Sequence, residues 1–310
     1  MNWLVIVNRK ADGGHAGKLW ASVETSLLKN GIKFSSKFTE APAQTRLLAS
    51  NAMNMGFTGV IAFGGDGTVS DTAAAISKLD TKPVLAFLPA GSGNDWIRSA
   101  GFDPPFIDSS INAIVAGQTR LVDSGICRWP GGSRFFLNSA GIGFDALVLK
   151  RTAGSRRFLP GGKISYLLNM AVSALFPPHW RGTISCDGKP FYKGDYLTMT
   201  TGVGKYSGGG MQLSPNAVPD DGLLDCVILS PMNFFTIAKN IPKLFDGTLH
   251  KTEWATSAQG TVIRIVPEVP GSTVLELDGE VVVPCPNAPY IELVSIPQNL
   301  RIIAPPAGCI

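Results

Sequence analysis

Short apolar runs alternate with amphipathic stretches through the first third of the chain. Leu4–Val7 is an unbroken apolar run closed by Asn8, the pattern of a strand buried on both faces. From Gly14 to Asn30, Ala16, Leu19, Trp20, Val23 and Leu27 recur at helical spacing, and Gly31 ends the segment. The same reading predicts strands at Lys33–Phe38, Gly59–Phe63 and Val84–Leu88, and helices at Gln44–Met55, Thr68–Leu79 and Ser110–Gly117. Strands separated by helices imply βαβ units on a parallel sheet, with ligands at the carboxyl ends of the strands.

After about Leu121 the pattern changes. Runs at Arg134–Asn138, Gly182–Cys186, Tyr196–Thr200, Leu224–Leu229, Thr261–Val266, Thr273–Leu277 and Ile291–Val294 are β-like and are separated by Gly, Pro, Asn and Asp. They predict a mostly antiparallel β sandwich or barrel, with inserted helices near Lys163–Phe176 and Met232–Leu244. The chain therefore reads as an α/β domain over residues 1–122 followed by a β domain over 123–297.

Composition agrees with this picture and narrows the chemistry. At about 150 residues per domain, 310 residues make two domains. Apolar residues form 45% of the chain and charged residues 16%, so two cores can be buried. A net charge of +4 is too weak to imply nucleic acid. The five cysteines, at 127, 186, 226, 285 and 309, form no CxxC pair, which argues against a disulfide framework or a zinc site and for a reducing compartment. No signal peptide is recognised, and no stretch reaches the roughly 18 apolar residues of a membrane span. The expected location is cytoplasmic.

The sharpest local signal is Gly64-Gly65-Asp66-Gly67-Thr68, between a predicted strand and a predicted helix. Glycines let backbone N–H groups approach a phosphate, and the helix adds its positive end. A second glycine-rich loop, Pro89-Ala90-Gly91-Ser92-Gly93-Asn94-Asp95, follows the next strand, and a third, Asn8–Gly14, follows the first. Neither GxGxxG nor a Walker sequence is present, so hydride transfer is a poor fit. Asp66 and Asp95 end adjacent loops and could orient a divalent cation. The three histidines, at 15, 179 and 250, are scattered, which speaks against a histidine base. Leu277-Asp278-Gly279-Glu280 has the form of a β-hairpin turn.

These two glycine loops resemble the diacylglycerol kinase catalytic family, especially its soluble bacterial lipid kinases. The resemblance extends to Gly208-Gly209-Gly210-Met211, Pro215-Asn216-Ala217, Asp220-Asp221-Gly222-Leu223-Leu224-Asp225 and the Leu277–Glu280 motif, and so spans nearly the whole chain. It implies an α/β domain like that of NAD kinases and phosphofructokinases, to which residues 298–310 return, and a β-sandwich lipid domain. It also implies ATP and magnesium as cofactors. Asn8, Arg9, Lys10, Thr39, Gly64, Gly65, Asp66, Gly67, Thr68, Gly91, Ser92, Gly93 and Asn94 would contact the nucleotide. Asp66 and Asp95 would serve catalysis, and the proton acceptor would be Asp278 or Glu280, which the resemblance leaves open. Asp221, with the carbonyls of Val218 and Leu223, would hold a structural magnesium. One departure is Arg9, where the family has proline.

Between Asp145 and Asp187 there is no acidic residue, while Lys150, Arg151, Arg156, Arg157, Lys163 and Arg181 flank the uncharged run Ile164–Phe176. A basic cluster beside an apolar helix suits peripheral contact with an anionic membrane, here over residues 150–181. The expected activity is ATP-dependent phosphorylation of a membrane lipid hydroxyl, with diacylglycerol first and phosphatidic acid as product. Sphingoid or ceramide-type lipids are alternatives. An NAD kinase and a non-catalytic lipid-binding module are more distant ones, and a homodimer is left open.

Overall fold

The computed structural model describes residues 1–155, 163–175, 177–282 and 288–305. It divides into two compact units, Met1–Asp123 with Gln298–Ile310, and Ser124–Pro297.

In the first unit, β1 (Trp3–Asn8), β2 (Phe34–Thr39), β3 (Gly59–Gly64) and β4 (Val84–Pro89) form a parallel sheet in the order β2-β1-β3-β4. β3 is buried along its whole length, because helices cover both faces. α1 (His15–Lys29) turns Ala16, Trp20, Val23 and Leu27 inward, and Trp20 packs on Phe34, Phe38 and Phe63. α2 (Pro42–Asn51) starts on its proline. α3 (Asp66–Ile76) begins two residues before the predicted start, because extended Gly65 serves as its N-cap, so Asp66, Gly67 and Thr68 form a helical turn rather than a loop. The short α4 (Asp95–Ser99) and α5 (Phe106–Ala116) follow.

The second unit holds two antiparallel sheets. Its strands are β5 (Thr119–Trp129, from Ser124 on), β6 (Gly132–Phe136), β7 (Ser139–Gly143), β8 (Trp180–Cys186), β9 (Lys189–Tyr196), β10 (Thr198–Gly202), β11 (Tyr206–Ser207), β12 (Met211–Gln212), β13 (Leu224–Leu229), β14 (Ala255–Gly260), β15 (Val262–Pro267), β16 (Leu275–Leu277), β17 (Glu280–Val282) and β18 (Ile291–Ile303, as far as Pro297). One sheet runs β14-β13-β10-β7-β16-β17, and the other joins the start of β18 to β15, β8 and β9. β11 and β12 pair with each other as a separate two-stranded ribbon. The predicted strand Tyr196–Thr200 is in fact two strands. β9 ends at Tyr196 in one sheet and β10 begins at Thr198 in the other, with Leu197 as the crossing residue.

The helices α6 (Phe144–Ser155), α7 (Lys163–Leu175) and α8 (Phe234–Asp246) belong to the second unit. Phe144, Val148, Met170, Ala174, Leu197, Val227, Leu229, Met232 and Leu249 form one buried core. α6 was not predicted; its polar Lys150-Arg151-Thr152 breaks the apolar periodicity. The end of β18 belongs to the first unit, where Ile302 pairs in parallel with Leu85 of β4. Among the described residues, no helix is long and apolar enough to cross a membrane.

Candidate active site

The two glycine loops of the first unit meet backbone to backbone. Ala90 N–H donates to the Gly64 carbonyl at 2.8 Å, and a Cβ on Gly91 would lie 2.6 Å from Gly65 Cα. Neither chain can retreat without breaking its strand end. Gly91→Ala should therefore cost about 1–3 kcal/mol of stability and weaken nucleotide binding, read by thermal melting and nucleotide titration.

Asp66 ties the loops together. Its Oδ2 accepts the Asn94 N–H at 2.8 Å, and its Oδ1 accepts the Asp95 and Trp96 N–H groups at 2.8 and 3.2 Å. A carboxylate on α3 thus caps α4, while the Asn94 side chain accepts the Gly91 N–H at 3.3 Å instead. Burial raises the Asp66 pKa, the Asp95 charge raises it further, and the three N–H bonds oppose both. Gly93 leaves room for this acidic pair: a Cβ there would lie 2.7 Å from Asp66 Oδ2 and 3.4 Å from Asp95 Oδ2.

At the end of β1, Asn8 Nδ2 donates to Thr68 Oγ1 at 3.0 Å, and Asn8 Oδ1 accepts the Lys10 N–H at 3.1 Å. The Arg9 guanidinium lies 3.6 Å above the Phe38 ring, which gives this departure from the family a stacking partner. Lys10 pairs with Glu40 at 3.4 Å at the surface, and buried Thr39 accepts the Thr45 hydroxyl at 3.2 Å. Asn8 and Thr68 form one hydrogen-bonded pair, Asp66, Asn94 and Gly91 a second set, and Arg9, Lys10 and Thr39 follow along the ends of β1 and β2.

The second unit carries the other carboxylates. Asp278 and Gly279 form the two-residue turn between β16 and β17, with φ of 49° and 79°. Glycine adopts that conformation without cost. Asp278 Oδ1 accepts the Asn138 and Ser139 N–H groups at 2.8 and 3.1 Å, and its Oδ2 accepts the Leu137 N–H at 2.7 Å. Three donors fix this carboxylate in one orientation. Glu280 is half-exposed and pairs with Arg134.

Two acids near this turn, buried Glu276 and half-buried Asp145, escaped the sequence reading. Glu276 Oε2 accepts the Gly279 N–H at 2.7 Å, and its pKa is pushed up to about 8 by burial and by Asp145 and Asp278. Burial likewise raises the Asp145 pKa against hydroxyl bonds from Thr198 and Thr200. An acid inside the apolar strand Leu275–Leu277 was a legible signal for Glu276. Asp221 Oδ1 accepts the Leu223 N–H at 2.9 Å, and the Asp221 N–H reaches the Val218 carbonyl at 3.5 Å, closing a compact turn around the predicted metal ligands. Of the predicted membrane segment, Arg156, Arg157 and Phe176 lie outside the described residues.

A cavity of about 50 Å³ lies between α6–α8 and the β14-β13-β10-β7 sheet, walled by Phe144, Met170, Leu229, Met232, Ile241 and Leu244. Asp145, Thr198 and Asn240 are the polar points on its otherwise apolar lining.

Comparisons with known proteins match both halves. Residues 2–127 match the diacylglycerol kinase catalytic domain, and residues 138–304 match the YegS C-terminal NAD kinase beta sandwich-like domain. A "Probable lipid kinase YegS-like" of Enterobacter sp. (strain 638) is 28% identical over 315 residues, covering 98% of this chain and 96% of that protein. Its namesake from Pseudomonas savastanoi pv. phaseolicola is 34% identical over 203 residues, 65% of this chain and 63% of that one. The crystal structure of a diacylglycerol kinase from Bacillus anthracis str. Sterne has a TM-score of 0.73 at 21% identity, covering 99% of this chain and 97% of that chain. An NAD kinase from Archaeoglobus fulgidus in complex with ATP shares the fold, with a TM-score of 0.53 at 11% identity over 99% and 94% of the two chains. With a diacylglycerol kinase catalytic domain followed by a YegS-type C-terminal domain, this chain belongs to the diacylglycerol kinase catalytic family and is a lipid kinase.

Proposed function

We propose that the enzyme transfers the γ-phosphoryl group of ATP to the free hydroxyl of diacylglycerol, giving phosphatidic acid. The observation that carries the lipid class is the apolar cavity in the same unit as the Asp278 turn. Its volume of about 50 Å³ admits a chain end rather than a whole chain, so long acyl tails need α6–α8 to part.

The residues present fit the nucleotide. The close approach of Gly65 and Gly91 makes a cradle that any Cβ would fill, and the first N–H groups of α3 precede its first intrahelical acceptor. Two neighbouring carboxylates, half-buried Asp66 and buried Asp95, suit a hard divalent cation. Magnesium there would neutralise charge on the phosphates. A second magnesium fits the Asp221 turn, with the Val218 and Leu223 carbonyls as further oxygen ligands.

Asp278, pre-oriented by three N–H donors, accepts the proton of the attacking hydroxyl. The new bond joins that oxygen to the γ-phosphorus, the bond to the β–γ bridging oxygen breaks, and ADP leaves. Asn8, Thr68, Gly65 and Gly91 hold the phosphates, and Glu280 keeps Arg134 in place.

Labelled ATP offered with a panel of diacylglycerol, sphingosine, ceramide and NAD tests this reading. Label should enter diacylglycerol at least tenfold faster than any other acceptor. Preferential labelling of another lipid would move the substrate, and labelling of NAD alone would overturn the lipid assignment.

A further inference from the structure

α8 has two faces with different occupations. Ile237, Ile241 and Leu244 pack against the core of the second unit. Phe235, Lys239 and Lys243 recur at four-residue spacing along the helix, and Phe235 is 80% exposed. Beside them runs an open groove of about 500 Å³, lined also by Lys251, Glu253 and Trp254.

The groove carries three ammonium groups against one carboxylate. Among the described residues, none of Lys239, Lys243 and Lys251 makes an ion pair. Asp246, the next acid along, accepts the N–H and hydroxyl of Thr248 at 2.9 and 2.6 Å and offsets part of the Lys243 charge from outside the groove lining. The net positive charge facing a cavity of this size calls for an anion. Lysine stems lie along apolar surface while their heads reach outward, and an exposed Phe beside a Trp adds the amphipathic rings found at membrane–water interfaces. Asn240 borders both this groove and the apolar cavity on the other side of α8, so charged and hydrocarbon-compatible surfaces adjoin at one residue.

We propose that the α8 groove binds the phosphate headgroup of an anionic phospholipid in the bilayer, a bystander rather than the phosphorylated lipid, with Phe235 entering the interface. The site lies outside the acid-free segment and needs neither ATP nor diacylglycerol. Its test is therefore separate from that of the lipid kinase reading.

Sedimentation with vesicles of phosphatidylcholine alone, or with 30% phosphatidylglycerol, reads it without substrate or nucleotide. The wild type should partition to the anionic vesicles and not to the neutral ones. Lys239→Glu with Lys243→Glu should lower that partition on the order of tenfold or more, since each charge near the leaflet counts. Phe235→Ser should lower binding to anionic vesicles by a smaller factor. Lys189→Glu with Lys193→Glu, exposed on β9, makes the same charge change elsewhere and should stay within about twofold. Thermal melting confirms that each variant is folded. Equal losses in the two charge-reversal variants, no loss in the α8 variant, or wild-type indifference to anionic lipid would each overturn the site.

Discussion

Asp278→Asn should lower lipid phosphorylation on the order of a hundredfold or more, while nucleotide binding by the first unit stays within about twofold. Asn cannot accept a proton from the attacking hydroxyl. Its NH₂ would also face one of the donors of Leu137, Asn138 and Ser139, so the turn loosens as well as losing its base. Glu280→Gln separates the two carboxylates of the motif. It keeps the length and one acceptor for Arg134, and should cost about tenfold through positioning. Initial rates with labelled ATP, alongside nucleotide titration and circular dichroism, decide the matter. A larger loss in Glu280→Gln than in Asp278→Asn would transfer the proton acceptor to Glu280.

Glu276→Gln should stabilise the protein at neutral pH, by on the order of a few kcal/mol at pH 8. The folded carboxyl has a pKa of about 8, above its ordinary 4.5, because burial and the charges of Asp145 and Asp278 penalise ionisation. The unfolded chain therefore releases this proton first. Stability from this group is full below about pH 4.5 and is lost as pH rises towards about 8. Gln has no proton to release; its carbonyl still accepts the Gly279 N–H, while its NH₂ faces the Gly141 N–H and offsets part of the gain. Melting temperatures from pH 4 to 9 should fall less steeply for the variant than for the wild type. Parallel curves would show that Glu276 is ionised and compensated in the folded protein.

Strands β1, β3 and β4 were legible because each is a continuous apolar run ending at a polar or glycine-rich loop. Residues that share one loop were also legible: the motif around Gly65, the loop at Gly91 and the turn at Asp278. What escaped depends on partners distant in sequence. Asp66 reads as a metal or catalytic acid, and what the sequence does not show is that its oxygens also cap a helix that begins 29 residues later. Local hydropathy cannot show that Leu197 carries the chain from one sheet to another, because both flanking strands are apolar. Glu276 left one local trace, an acid within an apolar strand, but the charges of Asp145 and Asp278 that act on it come from outside that strand.

The return of β18 to β4 sets an order of events during synthesis. The second unit is continuous in sequence from Ser124 to Pro297, so all its strands can leave the ribosome before the first unit has its last one. Until then β4, whose residues 85–89 are buried in the finished protein, presents an open edge. Lys82 finds its acceptors on Asn299 only across 217 residues of chain. Closing so long a loop is slow compared with forming the local βαβ units. A nascent chain stalled shortly before Leu300 should therefore hold a folded second unit and an incomplete first unit prone to pair with other edges, and should depend on chaperones for that interval.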